Sequence, residues 1–376
     1  MNNLIFDGNY FAFKTLFVSS YGNKGNLMET QKSQDIFMRK MATDFCHAVR
    51  QFGKPNRIIF TMDSRSWRKD VFIEENDGYK SNRKKSSEVN WENFYGCMEE
   101  FGRILEKSGI IFSKVDRAEG DDLMHLWAER LRLAGENSIV ITGDHDLLQL
   151  VRSTSQAITT SQEFYKTGNI AVYNPNSKNR KIYIHENWAP INKENDIFNL
   201  TETIGNVDLI QNAMKKIPVT RMCPHEFVCQ KILVGDDGDA VPSIFHWPTK
   251  TGKKNRITPK RAERIMEYLS ASANGKFSVF DLPNHAMEIT EELKVITKVK
   301  NIDVNEIKSK LERNIKLMVL HETVFPDDIV ANFDKHFDET KDTMVSSKTV
   351  YNLNTILKDT KYISDTGTEF DLFKLL

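Results

Sequence analysis

Carboxylates come in groups in this chain. Glu119, Asp121 and Asp122 stand in "AEGDD", Asp144 and Asp146 in "TGDHD", and Asp236 and Asp239 in "GDDGDAVPSI", while Asp7 and Asp63 each follow a short apolar run. Like charges held close repel and raise one another's pKa unless a cation lies between them. A site of Asp and Glu, without His or Cys, selects hard cations such as Mg²⁺ or Mn²⁺ over zinc. Two such ions about 4 Å apart activate a water and stabilise the departing oxygen of a phosphodiester. Hydrolysis of a nucleic-acid strand is chemistry that such residues suit. Any one of these positions alone could be a helix N-cap with no further role.

The elements that must position them are legible as apolar patterns. "NLIF" (3 to 6), "RIIFTM" (57 to 62), "IIFSKV" (110 to 115) and "SIVIT" (138 to 142) read as buried strands. Helical periods separate them, one through Trp91, Phe94, Met98, Phe101 and Leu105, another through Leu123, Leu126, Trp127 and Leu131. Such alternation predicts an α/β fold, an open and mostly parallel sheet flanked by helices, whose sites form at the carboxyl ends of the strands. Asp7, Asp63, Glu119 and Asp144 stand just past those ends. Further on, "HEFVCQKILV" predicts a helix running into the turn of Asp236 and Asp239. "ITPKRAERIMEYL" predicts another, with Thr258 as N-cap and Pro259 at its first position. From about 280 helical segments alternate with short connectors.

Composition narrows the class. With 376 residues, 40% of them hydrophobic and 28% charged, the chain is long enough for a sizeable core and is neither fibrous nor disordered. No apolar run reaches the roughly 18 to 20 residues that span a bilayer, and four cysteines make no disulfide framework, so a cytoplasmic protein with no membrane partner is expected. "CPHEFVC" at 223 to 229 reads as a helix start rather than a zinc site. The 52 basic and 52 acidic residues cancel in sum but not in place. Lys250, Lys253, Lys254, Arg256, Lys260, Arg261 and Arg264 crowd one stretch, and Lys80, Arg83, Lys84 and Lys85 belong to another. Such patches suit sequence-independent contact with phosphates.

Taken together, "MD" at 62 and 63, "YKSNR" at 79 to 83, "AEGDD", "TGDHDLLQL" and "GDDGDAVPSI" resemble, in order and spacing, the 5′ to 3′ exonuclease and flap endonuclease family. The long basic loop, "NRKKSSEVNWENF" and "KLMVLHETVFPDDIVANF" look most like its T-even-phage ribonuclease H branch, and the expectation of a phage origin rests on that likeness alone. The resemblance covers roughly residues 3 to 335. It implies an α/β nuclease domain over 1–200 with a helical arch at about 72–100. A mainly helical domain over 201–376 would carry a DNA-binding helix-hairpin-helix-like element at about 225–270.

By the same resemblance Asp7, Asp63, Glu119, Asp121, Asp144 and Asp146, with Asp122 adjacent, match the carboxylates that hold two Mg²⁺ or Mn²⁺ ions, and Asp236 and Asp239 complete the second metal's surroundings. Lys80 and Arg83 match cations that contact the scissile phosphate, where they would stabilise developing charge. Tyr79 either stacks on an unpaired base or packs under the arch, with equal weight on both. Gly120 stands where the family carries alanine, and Ala240 and Ser243 where it carries Asn and Gly. The implied activity is removal of primers or flaps during DNA replication or repair, leaving 5′-phosphate and 3′-hydroxyl ends. The implied partners are branched or 5′-ended DNA and RNA:DNA hybrids, met by a monomer. The apolar end "FDLFKLL" is either a docking peptide for a sliding clamp or a single-stranded-DNA-binding protein, or a segment packed on the body. A catalytically silent binder of branched DNA, a PIN-type ribonuclease and a small-molecule phosphatase are the competing readings.

Overall fold

The computed structural model describes residues 2–19, 27–71, 73, 78–154, 156–158, 164–176, 178, 180–188, 210, 216–248, 252, 254–272 and 277–362. The chain divides into two compact units: residues 1–65, 85–222 and 327–376 form the first, and 66–84 with 223–326 the second. This differs from the expected single boundary at 200. The physical reason is long-range packing that no local pattern announces. In the first unit the helix Asp327–Thr340 returns to lay Phe333 and Phe337 against Trp127, and Arg130 pairs with Asp334 at 3.0 Å.

The first unit is built on strands β1 (Asn2–Asp7), β2 (Arg57–Thr61), β3 (Ile111–Ser113) and β4 (Asn137–Ile141), with a small antiparallel pair β5 (Gln156–Ile158) and β6 (Phe164–Lys166). Strands β7 (Ile170–Asn174), β8 (Lys181–His185) and β9 (Val219–Met222) extend the main sheet. Its order is β3-β2-β1-β4-β7-β8-β9, with every pairing parallel except β7 to β8. The four strands predicted from apolar runs are present within a residue or two at each end. The order steps from β1 outward through β2 and β3, then restarts at β4 on the opposite side of β1. That reversal makes the carboxyl ends of β1 and β4 the switch point, where open α/β sheets place their sites.

Helices α1 (Gly8–Ser19), α2 (Gln31–Phe52), α3 (Trp91–Lys107) and α4 (Gly120–Leu133) carry the chain between these strands. Phe6, Phe45, Phe60 and Phe101 meet ring to ring at 4.9 to 6.4 Å beneath α2 and α3, and their burial anchors the strands from which the acidic residues emerge. Over residues 78–90, within the segment expected to arch, the chain runs as turns and extended backbone, and helix resumes only at Trp91. Residues 72 and 74–77 of that segment lie outside the described residues.

The second unit holds α5 (Pro224–Val234), the ribbon β10 (His246–Pro248) with β11 (Lys254–Arg256), α6 (Pro259–Ser272), α7 (Ala286–Thr297) and α8 (Val304–Met318) around their own apolar core. The basic segment expected as a loop between two helices is therefore in part an antiparallel ribbon, because Trp247 pairs in register with Asn255 and is buried. Cys223 is the N-cap of α5 with Pro224 in its first turn, and Cys229 is buried, which bears out the helical reading of "CPHEFVC". Helix α9 (Asp327–Thr340) and α10 (Ser347–Asp359) close the described chain in the first unit. Among the described residues no helix is long and apolar enough to cross a membrane.

Candidate active site

Asp7 ends β1, buried beneath the sheet edge with only 6% of its surface exposed. Its Oδ1 accepts from the backbone N–H of Tyr10 at 2.9 Å and its Oδ2 from the Thr142 hydroxyl at 2.7 Å. The same hydroxyl oxygen accepts from the Asp144 N–H at 2.9 Å, so Thr142 ties the exits of β1 and β4 together. Burial drives the Asp7 carboxyl up to about 7 against those hydrogen bonds, and the charges of Asp144 and Asp63 add to the rise. An acid hemmed in by acids is what a divalent cation would relieve.

Each remaining carboxylate of this edge is set by the local structure that follows its strand. Asp144 is the N-cap of a short 3₁₀ turn, His145–Leu150, and its Oδ1 accepts from the Asp146 N–H at 2.8 Å. Asp63, exposed beyond β2, accepts on Oδ1 from the Gly120 N–H at 2.6 Å, an anion at the start of α4 where orphan amides and the helix dipole favour it. Glu119 is the N-cap of α4 and is 5% exposed, and Asp121 in the first turn is half-buried. Asp122, grouped with these by sequence, faces into the domain instead: it is fully buried, and its Oδ2 accepts from the Glu119 N–H at 3.0 Å. Asp122 thus braces the start of α4.

Thr142 was passed over in the sequence, where "TGDHD" draws the eye to its acids. The signal available was a hydroxyl at the last buried position before the Asp144 turn. Among the described residues no three His, Cys, Asp or Glu side chains are gathered closely enough to hold a metal ion by themselves. The donor set at this edge is nonetheless all carboxylate oxygen, with one acid pushed to about 7 by burial, and that chemistry fits a hard divalent cation.

The other predicted site residues gather in the second unit. Asp236 follows α5, and although burial works against its charge, the Lys231 ammonium at 2.9 Å and the backbone N–H groups of Gly238 and Asp239 hold its pKa below the usual carboxylate value. Asp239 accepts from the Tyr79 hydroxyl at 3.0 Å and pairs with Arg83, with the Lys80 ammonium at 3.9 Å. The Lys80 N–H also donates to the Asp239 carbonyl at 2.8 Å. Tyr79 is 7% exposed and packs with Ile73, Val241 and Leu317, beneath Lys80 at 4.8 Å from its ring. Of the two roles expected for Tyr79, the structure shows the packed one; a buried ring offers no stacking platform.

Of the basic residues, Lys84 is exposed in the second unit and Lys85 in the first, with the Lys85 ammonium over the rings of Trp91 and Tyr95 at 5.5 and 5.1 Å. In the second unit Lys254 and Lys260 are exposed, Arg256 pairs with Asp237, and Arg264 pairs with Glu292 at 2.6 Å. Arg261 lies over the Trp247 ring at 4.9 Å. Lys250 and Lys253 lie outside the described residues, as does the end "FDLFKLL".

Residues 2–181 match the family model described as the 5′-3′ exonuclease N-terminal, resolvase-like domain. A comparison with curated proteins found no match. Among solved structures the chain is similar to the T5 5′-exonuclease with divalent zinc ions bound, at 15% identity over 90% of this chain and 99% of that one, with a TM-score of 0.47. It is also similar to a bacteriophage T5 flap endonuclease in a pseudo-enzyme-product complex with DNA and metal ions, at 14% identity over 91% and 99%, TM-score 0.49. A third likeness is to the catalytic core of Rad2 in complex with DNA substrate, at 12% identity over 100% and 92%, TM-score 0.37. The match to the family model covers a little under half of the chain, and the carboxylates at the exits of β1 to β4 lie within it.

Proposed function

We propose that this chain, whose residues 2–181 belong to the 5′-3′ exonuclease N-terminal, resolvase-like domain family, is a metal-dependent structure-specific 5′ nuclease acting on branched or 5′-ended DNA and on RNA:DNA hybrids. The observation that carries the reading is the acidic edge of the first unit, where Asp7 is buried between the charges of Asp63 and Asp144 at the switch point of the sheet. Asp7, Asp63, Glu119, Asp121, Asp144 and Asp146 would hold two Mg²⁺ or Mn²⁺ ions. When bound, such ions supply an activated water and a counter-charge for the departing oxygen.

The protein's own contribution is orientation. Thr142 ties Asp7 to Asp144, and the start of α4 fixes Asp63, so the acids are held at rigid strand ends. Lys80 and Arg83 are the residues we assign to the scissile phosphate, with Asp239 holding them until DNA competes for their charge. Lys84, Lys85, Lys250, Lys253, Lys254, Arg256, Lys260, Arg261 and Arg264 are the residues we assign to backbone phosphates, a salt-sensitive grip without sequence preference.

The test is cleavage of 5′-end-labelled and 3′-end-labelled DNA flaps and of a nicked RNA:DNA hybrid, in Mg²⁺, in Mn²⁺ and in EDTA. Metal-dependent products that start from the 5′ end are expected, and their lengths separate exonuclease from flap cutting. A folded protein that shifts the flap in a gel yet cuts none of these substrates would replace the reading with that of a silent binder.

A further inference from the structure

The three residues after Asp7 each touch the neighbour of a different carboxylate. A Cβ built on Gly8 would fall 2.3 Å from the Thr61 carbonyl oxygen and 2.7 Å from Met62 Sδ, in the stretch that leads into Asp63. A Cβ on Gly120, between Glu119 and Asp121, would lie 3.6 Å from Asn9 Nδ2 and 3.1 Å from Asp63 Oδ1. A Cβ on Gly143, the residue before Asp144, would lie 2.0 Å from Tyr10 Cε2 and 2.5 Å from Tyr10 Cζ. None of these glycines has a left-handed backbone, so what each supplies is space and not conformational freedom.

The first turn of α1 is thus pressed between the exits of β2 and β4 and against the start of α4. Tyr10 serves twice: its N–H donates to Asp7 Oδ1 at 2.9 Å, and its ring rests on the backbone of Gly143. The ring is itself held, edge-on to Phe11 at 5.7 Å with the Lys14 ammonium 5.8 Å from its centroid. We infer that Gly8, Asn9 and Tyr10 form a positioning element that sets the spacing of the metal-holding carboxylates, with the Tyr10 ring on Gly143 as a second contact, beside the Thr142 bridge, that fixes Asp144 relative to Asp7. The inference rests on the reading of these carboxylates as metal ligands. It adds that their spacing is set from the backbone following the first of them. Groups that orient metal ligands typically change metal affinity about tenfold to a hundredfold when removed.

The test is Mn²⁺ binding to the full chain, by titration calorimetry and by electron paramagnetic resonance, with thermal melting in parallel. Tyr10→Phe keeps the ring and should bind Mn²⁺ as the wild type does. Tyr10→Ala should bind about tenfold to a hundredfold more weakly while still melting cooperatively. Gly143→Ala should weaken binding at least as much alone, yet add little in the Tyr10→Ala background, where the methyl no longer meets a ring. Wild-type affinity in Tyr10→Ala, or fully additive effects in the double mutant, would overturn the inference. If Gly143→Ala fails to fold, the Tyr10 pair decides the matter alone. Absence of Mn²⁺ binding by the wild type would sink the metal reading and this inference with it, whereas wild-type binding unmoved by Tyr10→Ala sinks this inference only.

Discussion

Two groups of aspartates, alike in sequence, sit in opposite electrostatic settings. In the first unit Asp7 is buried among acids and its pKa is driven up to about 7. In the second, Asp236 is also partly desolvated, yet Lys231 and two backbone N–H groups hold its pKa down, and Asp239 is paired with Arg83 and Lys80. Asp144 and Asp63 add to the rise at Asp7, whereas Asp236 and Asp239 meet cations from their own unit. Burial acts in the same direction on Asp7 and Asp236; the partners decide the sign of the net shift. A cluster of the first kind is poised to take a cation, and a cluster of the second kind is already neutralised, serving first to order the chain around it.

The largest consequence of this difference is catalytic. Asp144→Asn should reduce flap cleavage roughly a thousandfold or more while the melting temperature stays close to that of the wild type, since the loss falls on charge stabilisation at the reacting phosphate. Full activity in this variant would remove the first cluster from the chemistry altogether. Next in size is the effect of Asp7 on stability in EDTA. Its folded pKa of about 7 stands above the ordinary aspartate value of 3.8, so the native state binds the proton more tightly than the unfolded chain does. Below pH 4 both states are protonated and the group is neutral in effect. As pH rises toward 7 and beyond, the buried charge costs up to about 4 kcal/mol. Asp7→Asn should therefore melt several degrees above the wild type at pH 8 in EDTA, with the gap closing by pH 4 or on addition of Mg²⁺ to the wild type. An unchanged melting temperature at pH 8 would show that the burial penalty is relieved by another route.

Asp236 should behave as the mirror image, with a smaller amplitude. Its folded pKa lies below the unfolded value, so its stabilisation is present above the unfolded pKa and is lost as pH falls through the folded one. Asp236→Asn should destabilise the protein by about 1 to 2 kcal/mol at pH 7, by urea unfolding, through loss of the charged contact to Lys231. In strong acid the difference from the wild type should vanish. Equal urea midpoints at pH 7 would mean that the two clusters are not opposites after all.

How much of this was legible from the residues differs between the clusters. The strand exits bearing Asp7, Asp63, Glu119 and Asp144 follow from four apolar runs separated by helical periods, because a sheet of this topology leaves few places for its carboxyl ends. Strands β7 and β8 were not read from "IAVYN" and "KIYIH", which follow β4 without the intervening long helix that marks the earlier strands. The fully buried Asp122 looked like one more ligand, since residue type does not tell which way the first turn of α4 points it. The division into units was hidden for a related reason: Phe333 and Phe337 find Trp127 about two hundred positions away, and no local period encodes that contact. Partner charges such as Lys231 for Asp236 lie close in sequence, but any neighbouring lysine would have looked the same.

The finest test of the contrast is Tyr79, where the two expectations of stacking and packing diverge over a single hydroxyl. The ring is buried with Ile73, Val241 and Leu317, and the hydroxyl donates to Asp239 Oδ2 at 3.0 Å. A base stacked on this residue would not need the hydroxyl, because phenylalanine presents the same aromatic face. A packed residue that satisfies Asp239 does need it, since removing one partner leaves a half-buried carboxylate short of a donor. Tyr79→Phe should therefore lower stability by about 1 kcal/mol in urea unfolding, with affinity for a 5′ flap unchanged. Unmoved stability in Tyr79→Phe, with flap affinity kept by Tyr79→Phe and lost by Tyr79→Ala, would mean that Asp239 holds no such bond in solution and that the Tyr79 ring meets DNA. The second cluster would then be as open to a ligand as the first, and the distinction between an edge awaiting charge and a knot already neutralised would fail at its most sensitive point.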